Sequence, residues 1–374
     1  MTDDEMLEAL RGGLTVSNPG SRGLYHLTLN PGCQRLRVTT AAGLTMLQMA
    51  DVLGISVAEG QSIFALNRGK RFEEGLYDSG GAKLLDLYRR DRGWDPADCR
   101  VLDLRDVGSM PGGNSPKAVE TRAVTQARRL AKTEQALARK ATGAPDAYNI
   151  LIQPVLSVTV VGVPYIVVPD LMTAPSSDPF YTTGEGKSFP HRGSKTDTAD
   201  VTAATRQAGV GAVGLRQWAA RFGLNPAIVP EVADLIFAVP GGLTPTLTRQ
   251  SVHPEIVALE RALAMAPTTM REVAADLPPG ASLGDPDTFL ALPPNYGATC
   301  KSFCPLVGFC KAEAVGAGNP ALLGTHLADA FAGIVNLGRA ADLVFGGAAP
   351  TPEEAASAAR LIADFERYRR AMES

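Results

Sequence analysis

Apolar residues recur at spacings of three and four through 198–222: Val201, Ala204, Ala208, Ala212, Leu215, Ala219 and Phe222. That period puts them on one face of a helix, and Gly223 follows as a C-cap signal. Residues 41–53 and 59–88 also read as largely helical, parted by Gly54, and 110–115 is a turn-rich break. A charged helical stretch then runs over 117–142. The pattern changes at 149–168, where Val and Ile dominate and predict two strands hinged near 162–164. Residues 181–187 predict a further strand, 234–239 a buried strand and 254–265 a helix. Two helices, 320–344 and 352–372, close the sequence. No internal repeat is visible. This order predicts an α/β or α+β core with helical elaborations. It divides into an N-terminal helical region (1–145), a core (146–290) and a C-terminal segment (291–374).

Composition narrows the class. A chain of 374 residues, 45% hydrophobic, can bury one large core. Its 38 glycines and 27 prolines are too few for a low-complexity protein. A net charge of −3 argues against coating nucleic acid by charge alone, but leaves room for a local basic groove. The first residues carry Asp3, Asp4, Glu5 and Glu8 and lack the basic and apolar regions of a signal peptide. The longest apolar candidate, 330–345, is interrupted by Arg339 and Asp342, so no membrane span is expected. The expectation is a soluble, cytoplasmic protein. Thiols stay reduced there, so clustered cysteines point to metal rather than disulfides.

Two constellations carry chemistry. The first is Pro169-Asp170 followed by Glu185-Gly186-Lys187. Residues i and i+2 of a strand share a face, so Glu185 and Lys187 project together. Asp170, expected at the end of the preceding strand, returns alongside them. Two carboxylates, with the Gly186 carbonyl as a further oxygen, suit Mg²⁺ or Mn²⁺. Lys187 would orient or deprotonate a metal-polarised water and stabilise charge on a phosphate. Gln207, near the apolar stripe of the 198–222 helix, is the polar residue that needs a reason. The bland reading of Glu-x-Lys is a solvated charge pair. Gly184 to Ser188 also resembles the end of a phosphate-binding P-loop, but Tyr181 stands where that motif needs glycine and Pro190 interrupts the helix it should open.

The second constellation is Cys33 near the start and Cys300, Cys304 and Cys310 near the end, the last three spaced C-x3-C-x5-C. Four thiolates suit zinc or an iron–sulfur cluster, and the paired C-x2-C knuckles usual for zinc are absent. Cys99 is the spare, either a free thiol or an alternative fourth ligand. Other features have bland alternatives. Residues 48–56 resemble part of a helix-turn-helix, though an ordinary helix and turn explain them. The basic stretch 117–140 is either a phosphate-tracking surface or a solvated face. Trp94 and Trp218 suit core packing better than base stacking, and His191, beside Pro190, reads as a loop residue.

Together these residues resemble the iron–sulfur members of the PD-(D/E)XK nuclease superfamily, which include RecB-like nucleases and CRISPR-associated exonucleases. In that family one cysteine precedes the nuclease core and three follow it, and together they bind a [4Fe–4S] cluster. Cys33, within 24–38, matches the first, and Cys300, Cys304 and Cys310 match the trailing three, with C-x3-C where C-x2-C is commoner. Asp170 matches the PD aspartate, Glu185 and Lys187 the E-x-K, and Gln207 the glutamine of Q-x3-Y. Residues 67–74 are like the G-x2-H-E motif. Two positions depart: Phe72 stands where a metal-binding histidine is usual, and Gly211 replaces the tyrosine. The first leaves the metal a ligand short unless Glu73 or Glu74 supplies it. Over 24–312 the resemblance implies a restriction-endonuclease-like core, a structural [4Fe–4S] cluster and Mg²⁺- or Mn²⁺-dependent cleavage of DNA ends or single strands. The implied partners are a helicase or another repair, CRISPR or defence subunit. The alternative is a catalytically inactive iron–sulfur scaffold that binds nucleic acid.

Overall fold

The computed structural model describes residues 2–57, 63–108, 116–190, 197–239, 242–323 and 329–373. The turn expected at 110–115, the start of the 59–88 helix and His191 lie outside the described residues. Short helices open the chain: α1 (Asp3–Arg11), α2 (Gly20–Leu29), α3 (Gln34–Ala41) and α4 (Met46–Val52). The helix expected over 41–53 starts only at Met46, because Thr45 and Gln48 form a reciprocal capping box there. A long α5 (Ile63–Arg92) follows, broken at Asp78–Gly81, where Ser79, Gly80 and Gly81 all have positive φ. The paired glycines accept this backbone, so the helical period continues on both sides of a kink.

The sheet comes next. Strands β1 (Val101–Asp103) and β2 (Ile150–Ile152) flank α6 (Pro116–Ala141). Then come β3 (Leu156–Val160), β4 (Val163–Val167), β5 (Leu171–Thr173) and β6 (Thr182–Pro190). After α7 (Thr198–Arg221) come β7 (Val232–Ala238) and β8 (Pro245–Ser251). The main sheet has the order β1-β2-β5-β6-β7-β8 and is mixed, with β1–β2 and β6–β7 parallel. β3 and β4 form a separate hairpin over Val161 and Gly162, both with positive φ, as a tight hairpin turn requires. Strand β8 was not expected. Its sequence, PTLTRQS, is polar and half exposed because it is an edge strand, so no apolar run marks it.

Strand alternation sorts the core into two layers. Leu151, Met172, Ala233, Leu235 and Phe237 pack with α7 residues such as Ala208, Ala212 and Leu215. Ile150, Ile152, Leu171, Ile236 and Ala238 pack with Phe72, Leu76, Tyr77, Leu84 and Tyr88 of α5. The result is a mixed α/β structure with α5 and α7 on opposite faces of the sheet. Buried Asp234 also faces α5, where Arg92 and Arg249 hold it at 3.2 and 2.9 Å.

Helices α8 (His253–Ala264), α9 (Met270–Ala275) and α10 (Pro286–Ala291) lead to the cysteine loop and α11 (Val307–Gly316). Of the single helix expected over 320–344, residues 324–328 lie outside the described residues; the described ones form 3-10 turns at Pro320–Leu323 and Asp329–Phe331 and a helix, α12 (Leu337–Val344), which Asn336 caps. Gly333, at φ +80°, sits where a Cβ would meet the Glu353 carbonyl, which explains the break. α12 and α13 (Ala355–Glu373) form a small core of their own with Ile334, Leu343 and Ala358. No described helix is long and apolar enough to cross a membrane.

Candidate active site and cysteine centre

Asp170 does not end a strand, as the sequence suggested. It sits between β4 and β5, immediately before Leu171. β5 runs antiparallel to β6 with Leu171 opposite Gly184, so the residue before Leu171 falls beside Glu185. Glu185 pairs with Leu235 across the β6–β7 ladder and shares its α7-facing side. Lys187, two residues on, follows it. The side chains converge: Lys187 Nζ donates to Glu185 Oε2 at 2.7 Å and to Asp170 Oδ2 at 3.1 Å. The Gly186 N–H donates to Asp170 Oδ2 at 2.9 Å. Gly186 therefore meets the cluster through its amide, and the expected carbonyl role is not displayed.

Burial strains these charges. Glu185 is 2% exposed, and burial, then Asp170, push its carboxyl up to about 8 against the pull of Lys187. Burial works against the Lys187 ammonium, but Glu185 and Asp170 outweigh it and hold its pKa above the ordinary value. Glu73 is raised as well, first by burial and then by Asp170. Burial and mutual repulsion disfavour the charged forms of Glu185 and Glu73 beside Asp170, a strain that a divalent cation would relieve. Asp170, Glu185 and Glu73 are oxygen donors of the right kind. Lys187 occupies the space between two of them, and among the described residues no three His, Cys, Asp or Glu side chains are drawn together tightly enough to hold a metal ion.

Glu73, not Glu74, belongs to this cluster. Glu74 is exposed and pairs with Lys70 at 3.8 Å. Phe72 is 1% exposed and lies on the α5 side of β6, where a Cβ added to Gly186 would sit 3.4 Å from Leu76 and Tyr77 and 3.9 Å from Phe72. Gly184 is tighter, since a Cβ would come within 2.9 Å of Leu171 and 2.8 Å of the Asp234 carbonyl. Gly184–Ser188 is thus a strand whose glycines admit close neighbours, not a phosphate loop. Gly211 has a similar cause: a Cβ there would meet Pro169 at 2.9 Å and Thr183 at 3.2 Å. A tyrosine at 211 is incompatible with this seat for the segment that carries Asp170.

Gln207 makes no direct bond to the cluster among the described contacts, but it lines the same cleft as Lys187, a space of about 380 Å³. The cleft also contains Arg22, Tyr25 and His26 from α2, Arg206 from α7 and Phe303 from the cysteine loop. Sequence reading missed these. The local signal was the one-turn spacing of Arg22 and His26 on α2; no sequence pattern joins Arg206 of α7 to them. The His26 ring lies 4.6 Å from that of Phe303, and burial, then Arg22 and Arg206, push its imidazole down to about 4.

Cys33, Cys300, Cys304 and Cys310 line one cavity, and none is in a disulfide. Cys99 is exposed and lies elsewhere, which separates it from the set. The cavity is pinned on both sides. Asn30 Nδ2 donates to the Asn295 carbonyl at 2.5 Å and to Cys300 Sγ at 3.2 Å. Arg35, 1% exposed, reaches Glu313 at 2.6 Å, the Leu292 carbonyl at 3.0 Å and Cys310 Sγ at 3.6 Å. Burial pushes Cys304 up to about 12 and raises Cys310, whose thiol Arg35 pulls back. Protons on such thiols are displaced only by a strong Lewis acid. Four sulfurs lining one cavity, with N–H donors to two of them, are a donor set of the kind that zinc or an iron–sulfur cluster takes.

The remaining candidates are structural. Trp218 is buried in the core and Trp94 packs on Tyr88. The basic α6 turns Arg129 and Lys140 inward, onto the carbonyls of Arg105, Gly108 and Pro175, so part of its charge is used in packing. Comparison of the chain with protein-family profiles, curated proteins and solved structures found no match in any of the three.

Proposed function

We propose that this chain is a metal-dependent nuclease of the PD-(D/E)XK kind, a cytoplasmic enzyme that hydrolyses DNA phosphodiesters and is held together by a structural [4Fe–4S] cluster. The observation that carries the reading is the convergence of Asp170, Glu185 and Lys187 at one end of β5 and β6, beside a cleft that Gln207 also lines. Asp170, Glu185 and Glu73 would hold Mg²⁺ or Mn²⁺. Such an ion supplies Lewis acidity at the phosphate and acidifies a water. Lys187 keeps a proton at Nζ between the carboxylates, from which it can donate to a phosphate oxygen as charge develops there. Gln207 offers an amide in the same cleft to orient that phosphate. The thiols of Cys33, Cys300, Cys304 and Cys310 would ligate the cluster, which ties α3 to α11.

A second reading is a non-catalytic iron–sulfur scaffold, bound to DNA and to a helicase or another repair, CRISPR or defence subunit. It is favoured by Phe72, which fills its place with packing, and by Lys187 standing between the carboxylates. Mn²⁺ binding separates the two. Labelled single- and double-stranded DNA incubated with anaerobically purified protein and Mn²⁺ tests the first. Cleavage should vanish in Asp170→Ala, and cleavage that persists unchanged places the active site elsewhere.

A further inference from the structure

The cleft beside Lys187 has a composition that the carboxylate–lysine cluster does not explain. Arg22 and Arg206 project into it, and among the described residues no acidic side chain lines it. Neither arginine makes an ion pair with a described residue. Arg206 lies 4.9 Å over the Tyr25 ring, and its Nε is buried with no hydrogen-bond partner. Leaving a charged donor unsatisfied is costly unless something completes it. The charges of both arginines reach His26, so they act on one space. Much of the remaining wall is aromatic: Tyr25, Phe189 and Phe303, with the His26 imidazole tilted 33° against the Phe303 ring.

We infer that Arg22 and Arg206 form a phosphate subsite that holds single-stranded nucleic acid next to the Asp170–Glu185–Lys187 site, with the aromatic wall receiving its unpaired bases. The inference rests on the proposed nuclease reading for why a strand should be there. Guanidinium groups match phosphate oxygens, and the Nε donor of Arg206 is the unmet one. Base–aromatic contact tolerates any sequence, as a general nuclease needs. The aromatic wall selects the single strand, because only unpaired bases expose a face for Tyr25, Phe189 and Phe303 to contact. The position also explains the cysteine loop. Phe303 lies between Cys300 and Cys304, and α2 leads into Cys33, so both walls of the cleft are anchored at the cysteine centre.

The test is fluorescence anisotropy of a labelled oligothymidylate with anaerobically purified full-length protein, without added divalent metal, across a salt series. The Arg22→Ala/Arg206→Ala double variant should bind at least about tenfold more weakly, and its slope of log K against log salt should be shallower by about 1.4, near 0.7 for each lost phosphate contact. Arg206→Lys should recover part of the affinity, and all variants should keep the native melting temperature. Oligouridylate bound as tightly as oligothymidylate supports the phosphate subsite and widens the strand to either polymer. No binding by the native protein, unchanged affinity and slope in the double variant, or blunt duplex bound equally well would each overturn the inference. Asp170→Ala separates this from the nuclease reading. If only catalysis has been misassigned, no protein cleaves, yet the arginine effect on binding remains. If only the subsite is wrong, native protein cleaves and the arginine variants bind normally.

Discussion

Asp170 and Lys187 are 17 residues apart in sequence and meet because β5 and β6 are neighbouring antiparallel strands. Asn30 and Cys300 are 270 residues apart, and Arg35 and Glu313 278, yet they meet in the wall of the cysteine cavity. The first site is a local product of strand pairing in the middle of the core. The second closes nearly the whole chain on itself. Closing a long loop carries an entropy cost that grows slowly with length, and a ligand that bridges its ends offsets that cost. The contrast teaches a division of labour. Glu185 is buried and strained by burial and by Asp170, and the ties of both carboxylates run only to the neighbouring strand. The thiols hold little charge of their own and sit where the fold is most in need of a tie.

The sharpest way to break that division is to delete one member of each site. Asp170→Ala or Lys187→Ala should lower cleavage by on the order of 10³ or more while the thermal midpoint stays near that of the native protein. Rates on labelled DNA, read beside a melting curve, check it, and a collapse of the fold would show that the cluster is structural. Cys304→Ser should do the reverse. Its visible absorbance and iron should disappear and the midpoint should drop by about 10 °C, corresponding to several kcal/mol. A Cys304→Ser protein that melts normally with full iron content would remove the cysteine tie from the account.

A smaller effect probes the seam between Pro169 and α7. Gly211→Ala places a methyl group 2.9 Å from Pro169 and should cost about 1–3 kcal/mol in a urea titration, with some loss of rate as Asp170 shifts. Equal stability of the variant would mean that the Pro169 segment yields freely and that Gly211 answers to something else. The smallest effect concerns His26, the contact between the two regions. Its folded pKa, about 4, lies below the ordinary 6.5. The folded state then binds fewer protons than the unfolded one as pH falls from 6.5 towards 4, so stability is full above 6.5 and declines across that window. The decline should be on the order of 1–2 kcal/mol and should flatten in His26→Gln. Melting midpoints measured from pH 7 to pH 4 in both proteins would decide it.

Much of this was readable from residue order. The 3.6-residue period over α7, a Val- and Ile-rich hairpin expected to hinge near 162–164 and turning at Val161-Gly162, and Glu185 and Lys187 on one strand face are all short-range facts, although 149–168 holds three strands where two were expected. The misreadings have physical causes. β8 carries Thr, Gln and Arg because it is an edge, and polar edges leave no apolar signature. The helix expected at 320–344 breaks near Gly333, which must pass within van der Waals range of the 353–354 backbone, a neighbour about twenty residues on. The departures at 72 and 211 seemed to be lost functional residues. Their packing gives each a positive reason: Phe72 covers β6 on the α5 side, and Gly211 makes room for Pro169.

By itself the sequence determined the chemical inventory and its periodicity: which side chains can ligate or ionise, and which of them share a helix or strand face. Those properties belong to single residues and to repeat lengths of two and 3.6. Only the tertiary structure decided which groups share a space. It separated Glu73 from Glu74 and Cys33 from Cys99, and it set Arg22 and Arg206, from helices far apart in sequence, around one cleft with Lys187. It also raised Glu185 to about 8, a consequence of burial and of Asp170 across a strand pair. Proximity and desolvation are properties of the packed chain, because both depend on residues that no local pattern brings together.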